Sequence, residues 1–113
     1  MIQDEKVVSD WQAACSIGDM DDEELLEVKV DNQRILLVRT DDSLVACQAV
    51  CPHMDEPLEL GFCDGKTLTC SKHLWQWDMR TGDAMGPAEE DITIAPVRIE
   101  NDIVYVDMAL LKE

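Results

Sequence analysis

Residues 51–75 read CPHMDEPLELGFCDGKTLTCSKHLW and hold both histidines of the chain and three of its five cysteines. The potential metal-binding side chains form two short pairs, Cys51-x-His53 and Cys70-x2-His73, with sixteen residues between them. Spacings of one and two residues let neighbouring side chains of a tight loop converge on one point. Two such loops can close around a single metal centre. The segment between the pairs is long enough for a turn and a strand, which would put both loops at one end of a sheet. Each pair offers one soft thiolate and one imidazole.

Outward from this stretch, short runs rich in β-branched residues recur between turn signals, a pattern of strands. Lys6 to Ser9 is a first strand candidate. Leu26 to Asp31 and Arg34 to Thr40 flank Asn32-Gln33 as a tight hairpin, and Asp41-Asp42-Ser43 turns the chain into Leu44 to Val50. Thr67 to Thr69 and Leu74 to Asp78 are further strands, with a turn at Thr81-Gly82. Ala95 to Glu100 and Ile103 to Asp107 pair across Asn101-Asp102. Helical character is confined to Ser9 to Cys15 and Met108 to Glu113. Many short strands with frequent turns predict an all-β sandwich or barrel.

The chain has 113 residues, 46% of them apolar, which fits one globular domain spanning 1–113 with a modest core. Its N-terminus is acidic where a signal peptide would be basic and then apolar, and no apolar run reaches membrane-spanning length. A cytoplasmic protein that does not enter the membrane is expected, with reduced cysteines. An odd cysteine count also argues against a full disulfide framework. Net charge is −16, and seven of the thirteen residues from Asp19 to Asp31 are acidic. Phosphate backbones would be repelled, so nucleic acid is excluded as a partner. A basic protein surface, steered in from a distance, fits that charge.

Three chemistries suit the ligand pairs. Zinc accepts two cysteines and two histidines, although its structural sites normally pair like with like, and a catalytic zinc needs an open position and a base that nothing here marks. The cysteines could instead be core residues beside incidental histidines. A [2Fe–2S] cluster with two thiolates on one iron and two imidazoles on the other is the third.

The third matches a known pattern. Cys51-Pro52-His53, Leu58, Gly61 and Cys70-Ser71-Lys72-His73-Leu74-Trp75 resemble the Rieske class closely. The likeness continues through Trp77-Asp78, Thr81-Gly82, Gly86-Pro87 and the ending PVRIENDIVYV at 96–106, so it covers about Asp31 to the C-terminus. It implies a β-sandwich with a small cluster-binding subdomain at about residues 50–76. It implies that Cys51 and Cys70 hold a buried iron, that His53 and His73 hold an outer iron, and that Gly86-Pro87-Ala88 is a third covering loop. Two neutral imidazoles in place of thiolates leave the oxidised cluster formally neutral, which raises its potential above that of four-thiolate ferredoxins.

Departures from one branch of the class are informative. Rieske proteins of respiratory and photosynthetic complexes carry two further cysteines that form a disulfide; this chain has Glu56 and Lys72 at those places. Those proteins also have serine and tyrosine hydroxyls bonded to cluster sulfurs. Leu74, Trp75 and Trp77 stand here instead. Fewer donors stabilise the reduced state less, which predicts a potential near the lower end of the class. Trp75 and Trp77 are expected to pack and exclude water, and Cys47 to be a core residue.

Both histidines are committed to the cluster, and no dinucleotide fingerprint occurs. The chain is therefore expected to carry electrons without itself catalysing a reaction. It is similar to soluble Rieske ferredoxins of bacterial oxygenase systems, with His73-Leu74-Trp75 closest to those of toluene-type di-iron monooxygenases acting on aromatics or alkenes. That likeness implies an NADH-dependent flavin and iron–sulfur reductase upstream, a hydroxylase downstream, and action as a monomer. The alternatives are the ferredoxin of a ring-hydroxylating dioxygenase and the small Rieske subunit of a nitrite reductase. Asp55, Glu56 and Glu59 would ring the His53–His73 tip as a docking surface.

Overall fold

The computed structural model describes residues 10–20, 25–41, 43–50, 57–70, 74–86, 88 and 90–111. Their strands fall into three antiparallel sheets. The first has the order β1 (Trp11–Ser16), β11 (Ile103–Asp107), β10 (Val97–Glu100). The second runs β2 (Leu25–Val30), β3 (Gln33–Arg39), β4 (Leu44–Gln48), β9 (Ile94–Ala95). The third runs β5 (Phe62–Cys63), β6 (Thr67–Thr69), β7 (Gln76–Asp78), β8 (Ala84–Met85). No helix among the described residues is long and apolar enough to cross a membrane.

Strand β3 organises the layers. Its run Ile35-Leu36-Leu37-Val38 is fully buried without interruption, as in a strand covered on both faces. Side chains alternate across a strand. Ile35 and Leu37 accordingly join Val104, Val106 and Met108 in one core. Leu36 and Val38 join Leu58, Leu68 and Trp77 in a second. Neighbouring β4 divides likewise, with Ala46 in the first core and Cys47 in the second. The expected all-β sandwich is therefore present, and the third sheet packs as an added layer on the outer face of the second. Each fully buried Leu, Ile or Val of β3 contributes roughly 1.5–3 kcal/mol.

Two hairpins close through pairs of residues in the left-handed region. Asn101 and Asp102 (φ 52° and 66°) join β10 to β11 where the sequence indicated. The β2–β3 turn falls on Asp31 and Asn32 (φ 54° and 67°), one residue earlier than Asn32-Gln33. Short Asp and Asn side chains tolerate two consecutive positive φ values; glutamine does so less readily.

Three other expectations are corrected. The helical character placed at Ser9 to Cys15 is replaced by β1, which pairs with β11 through a bulge between Ala13 and Cys15. Trp11 lies under the Arg98 guanidinium, 4.4 Å from its ring centre. Tertiary pairing overrides a weak local preference here. The run Ala95 to Glu100 is two strands in different sheets. Pro96 has no N–H to extend a ladder, and its carbonyl accepts from the Asp107 N–H at 3.1 Å. The strand expected from Leu74 begins only at Gln76, because Leu74 is left-handed (φ 59°). At the C-terminal end, Met108–Leu110 is a short 3-10 turn capped by the Asp107 carboxylate, which accepts from the Ala109 N–H at 3.1 Å. The strand expected at Lys6 to Ser9 lies outside the described residues.

Candidate metal centre

Of the four expected ligands, Cys70 is described; Cys51, His53 and His73 lie outside the described residues. Backbone bonds define the two frames that bracket the ligand pairs. Before and after residues 51–56, Val50 bridges Pro57 antiparallel, and the Leu58 N–H donates to the Ala49 carbonyl at 2.8 Å. The 3-10 turn Leu58–Leu60 follows, with the Gly61 N–H donating to the Leu58 carbonyl at 3.0 Å. Leu58 is fully buried in the second core and anchors this frame to β3.

The second frame surrounds residues 71–73. The Cys70 N–H donates to the Trp75 carbonyl at 2.8 Å, and the Leu74 N–H returns to the Cys70 carbonyl at 3.2 Å. The frames meet at Gly61. A Cβ there would overlap the Thr69 carbonyl oxygen and press on the Cys70 backbone. Only glycine lets the turn after the first pair lie directly on the strand that delivers Cys70.

The connection between the frames is the β5–β6 hairpin, pairing Phe62 with Thr69 and Cys63 with Leu68. At its turn the Asp64 carboxylate accepts from the Thr67 and Lys66 N–H groups at 2.9 and 3.1 Å, and these bonds hold its pKa below the usual range. Beyond the second pair, β7 continues into β8, and the Gly86-Pro87-Ala88 segment leaves from there. Gly86 is left-handed (φ 62°), the Ala88 N–H donates to the Met85 carbonyl at 3.2 Å, and Ala88 packs on the second core. Pro87 lies outside the described residues.

Cys70 is fully buried among Leu58, Leu68, Trp75 and Trp77. The tryptophans meet edge to face, with centroids 6.3 Å apart and planes at 64°. The Trp77 indole N–H donates to the Glu90 carbonyl at 2.8 Å, so its polar group is satisfied although the ring is fully buried. The glutamate's backbone role carried no sequence signal, because any residue at 90 offers the same carbonyl.

Two of the three cysteines outside the motif have thiols shifted upward. Cys47 is fully buried as expected, and desolvation, followed by the neighbouring Cys63, pushes its thiol up to about 12. Burial and then the charge of Asp19 push the Cys15 thiol up as well. Among the described residues, no group of three or more His, Cys, Asp or Glu side chains could hold a metal ion. The donor set of the motif, with soft sulfur in a dry interior, suits an iron–sulfur cluster, and the close packing at Gly61 fits two loops closing on one centre.

Of the acids expected to ring the tip, Asp55 and Glu56 lie outside the described residues. Glu59 has a structural role, since its Oε2 accepts from the Glu27 N–H of β2 at 3.0 Å. One carboxylate oxygen therefore ties the first frame to the second sheet.

The Rieske [2Fe-2S] domain family matches residues 10–96. The biphenyl dioxygenase ferredoxin subunit of Pseudomonas sp. strain KKS102 is 34% identical over 98 residues, covering 85% of this chain and 90% of that protein. The methanesulfonate monooxygenase ferredoxin subunit of Methylosulfonomonas methylovora is 29% identical over 92 residues, covering 80% and 75% respectively. Among solved structures, the ferredoxin of Sphingomonas yanoikuyae B1 superposes with a TM-score of 0.76 at 26% identity, over 84% of this chain and 95% of that one.

Proposed function

This chain belongs to the Rieske [2Fe-2S] domain family, and from that membership we propose that it is the one-electron carrier of an oxygenase system, with Cys51, His53, Cys70 and His73 as the cluster ligands. When bound, the cluster supplies a centre that gains and loses a single electron. The protein's part is to hold and shield it. Cys70 binds from a dry interior, Leu58 and the two tryptophans keep water from the sulfur side, and Gly61 lets the two loops close. The observation that carries the reading is the buried Cys70 held by the backbone of Trp75 and Leu74, against which the other ligand frame packs.

The two electron partners are a reductase that supplies the electron and an oxygenase that takes it. The 34%-identical relative favours a dioxygenase as acceptor. The methanesulfonate monooxygenase relative, together with His73-Leu74-Trp75, favours a monooxygenase. Reconstitution with each oxygenase separates the two by turnover.

Purified protein should be red-brown and give a mixed-ligand [2Fe–2S] paramagnetic resonance signal after reduction. Its midpoint should lie near the lower end of a class range of roughly −150 to +300 mV. Colourless, iron-free protein defeats the reading, and a strongly positive midpoint defeats the argument from missing hydroxyl donors.

The charge of −16 draws in partners with basic surfaces. The rate of electron delivery should therefore fall as ionic strength rises past the point where the screening length is about 10 Å. Glu56→Gln is expected to lower that rate at low salt. A flat salt profile, with Glu56→Gln indistinguishable from wild type, would reduce the acids to a solubility role.

A further inference from the structure

Side chains of the third sheet alternate between two faces. Leu68 and Trp77 pair across β6 and β7 and point into the second core. Their neighbours Thr69 and Gln76 pair on the opposite face, in a cross-strand row that Phe62 and Met85 complete. The ends of that row are open to solvent, Phe62 at 57% and Met85 at 39%. Thr69 is only 3% exposed, and with Asp107 it is one of two buried polar side chains among the described residues. Asp107 serves the backbone, accepting from the Asp10 and Ala109 N–H groups at 2.9 and 3.1 Å. Thr69 has a side-chain partner instead: its Oγ1 accepts from Gln76 Nε2 at 3.2 Å. This buried hydroxyl stands directly before the candidate ligand Cys70.

Gln76 also reaches in a second direction. Its register partner Met85 ends β8, and the chain leaves there through left-handed Gly86 (φ 62°) into the expected covering loop. Gln76 Oε1 lies 3.4 Å from where a Cβ of Gly86 would stand, so the amide oxygen rests against that turn. The Ala88 N–H closes the turn on the Met85 carbonyl at 3.2 Å. One half-buried amide thus touches both the strand that delivers Cys70 and the loop that follows β8.

We propose that Gln76 is a positioning residue for the cluster: its amide, held on the Thr69 hydroxyl, fixes the Gly86-Pro87-Ala88 turn relative to Cys70 and keeps water from the bound cluster. The inference rests on the carrier role above. Without the amide, the Thr69 hydroxyl loses its partner in a dry site, which is costlier than losing an exposed bond. Water is the partner that replaces it, and the turn loses its stop on the β7 side. Groups one layer behind the ligands act in this way, orienting the ligands and controlling solvent access.

Gln76→Leu keeps the bulk and removes both polar atoms, Thr69→Val removes the hydroxyl and keeps the shape, and Thr69→Ser keeps the hydroxyl. Cluster-bearing protein is mixed with excess bathophenanthroline disulfonate, the loss of visible absorbance is timed, and the midpoint potential is measured alongside. Gln76→Leu and Thr69→Val should each bleach about tenfold faster than wild type. The double variant should bleach no faster than the faster single one, because the pair acts as a unit. Thr69→Ser should stay near wild type. Reduction adds a negative charge, so admitting water favours the reduced state and raises the midpoint of Gln76→Leu. Gln76→Glu sets a carboxylate in the same place and lowers it. Bleaching within about twofold of wild type in both Gln76→Leu and Thr69→Val overturns the proposal. So do fully additive effects in the double variant, or midpoints unmoved in both Gln76→Leu and Gln76→Glu, either of which would leave Gln76 an ordinary sheet contact. Wild-type protein that holds no cluster defeats the carrier role instead, so the two failures are distinct.

Discussion

Replacing Cys70 with alanine should yield protein that is colourless and that passes no electrons to an oxygenase above background. The thiol is fully buried, its backbone is fixed by bonds to Trp75 and Leu74, and the neighbouring turn is packed against it at Gly61. Cys47 reaches the second core from β4, in another sheet. The paired control is Cys47→Ala. It removes a buried sulfur of similar size from the same core, so it should cost about 1–2 kcal/mol of stability while leaving colour and electron transfer intact. Iron content, visible absorbance and turnover are read on both proteins. Full cluster occupancy in Cys70→Ala, or colour lost equally from both variants, would remove Cys70 from the ligand set.

The largest loss of stability is expected from Trp77→Ala. The indole fills the second core with no exposure, touches Trp75 edge to face, and donates to the Glu90 carbonyl. Truncating such a ring costs about 3–5 kcal/mol through lost transfer energy and the cavity left behind. In a chain of this length that corresponds to a fall of roughly 10–20 °C in Tm. Trp77→Phe keeps most of the volume and gives up the hydrogen bond, so a loss of about 1 kcal/mol is expected. Thermal unfolding followed by far-ultraviolet circular dichroism compares the three proteins. A drop of less than 3 °C in Trp77→Ala would mean that the ring does not brace the layer carrying Cys70. The same pair of variants separates packing from electron relay, since Trp77→Phe should keep the wild-type transfer rate.

The parts of the molecule legible in its sequence are those with a local cause. The Cys-x-His and Cys-x2-His pairs are chemically improbable by chance, and they point to the family on their own. The Asn101-Asp102 turn was readable because both residues accept positive φ. The burial of Trp77 followed from its apolar bulk. What escaped depended on distant partners. Trp11 to Ser16 becomes a strand because β11, some ninety residues away, offers it a ladder. The division at Pro96 was visible as a residue that cannot donate, yet only the assembled sheets show that the chain changes layers there. Leu74 reads locally as the start of a strand. Its left-handed backbone is imposed by the turn that closes onto Cys70.

Strand β3 serves two cores at once, and that makes the molecule hard to divide. A sandwich piece excised without the third sheet would leave Leu36 and Val38 facing water, and the third sheet cut away would lose the wall it rests against. Neither fragment keeps enough covered surface to hold its shape. The redox layer and its support are in that sense inseparable: such a protein can trade its rim residues freely, but it cannot lend its metal-bearing half to another scaffold without also lending the strand beneath it.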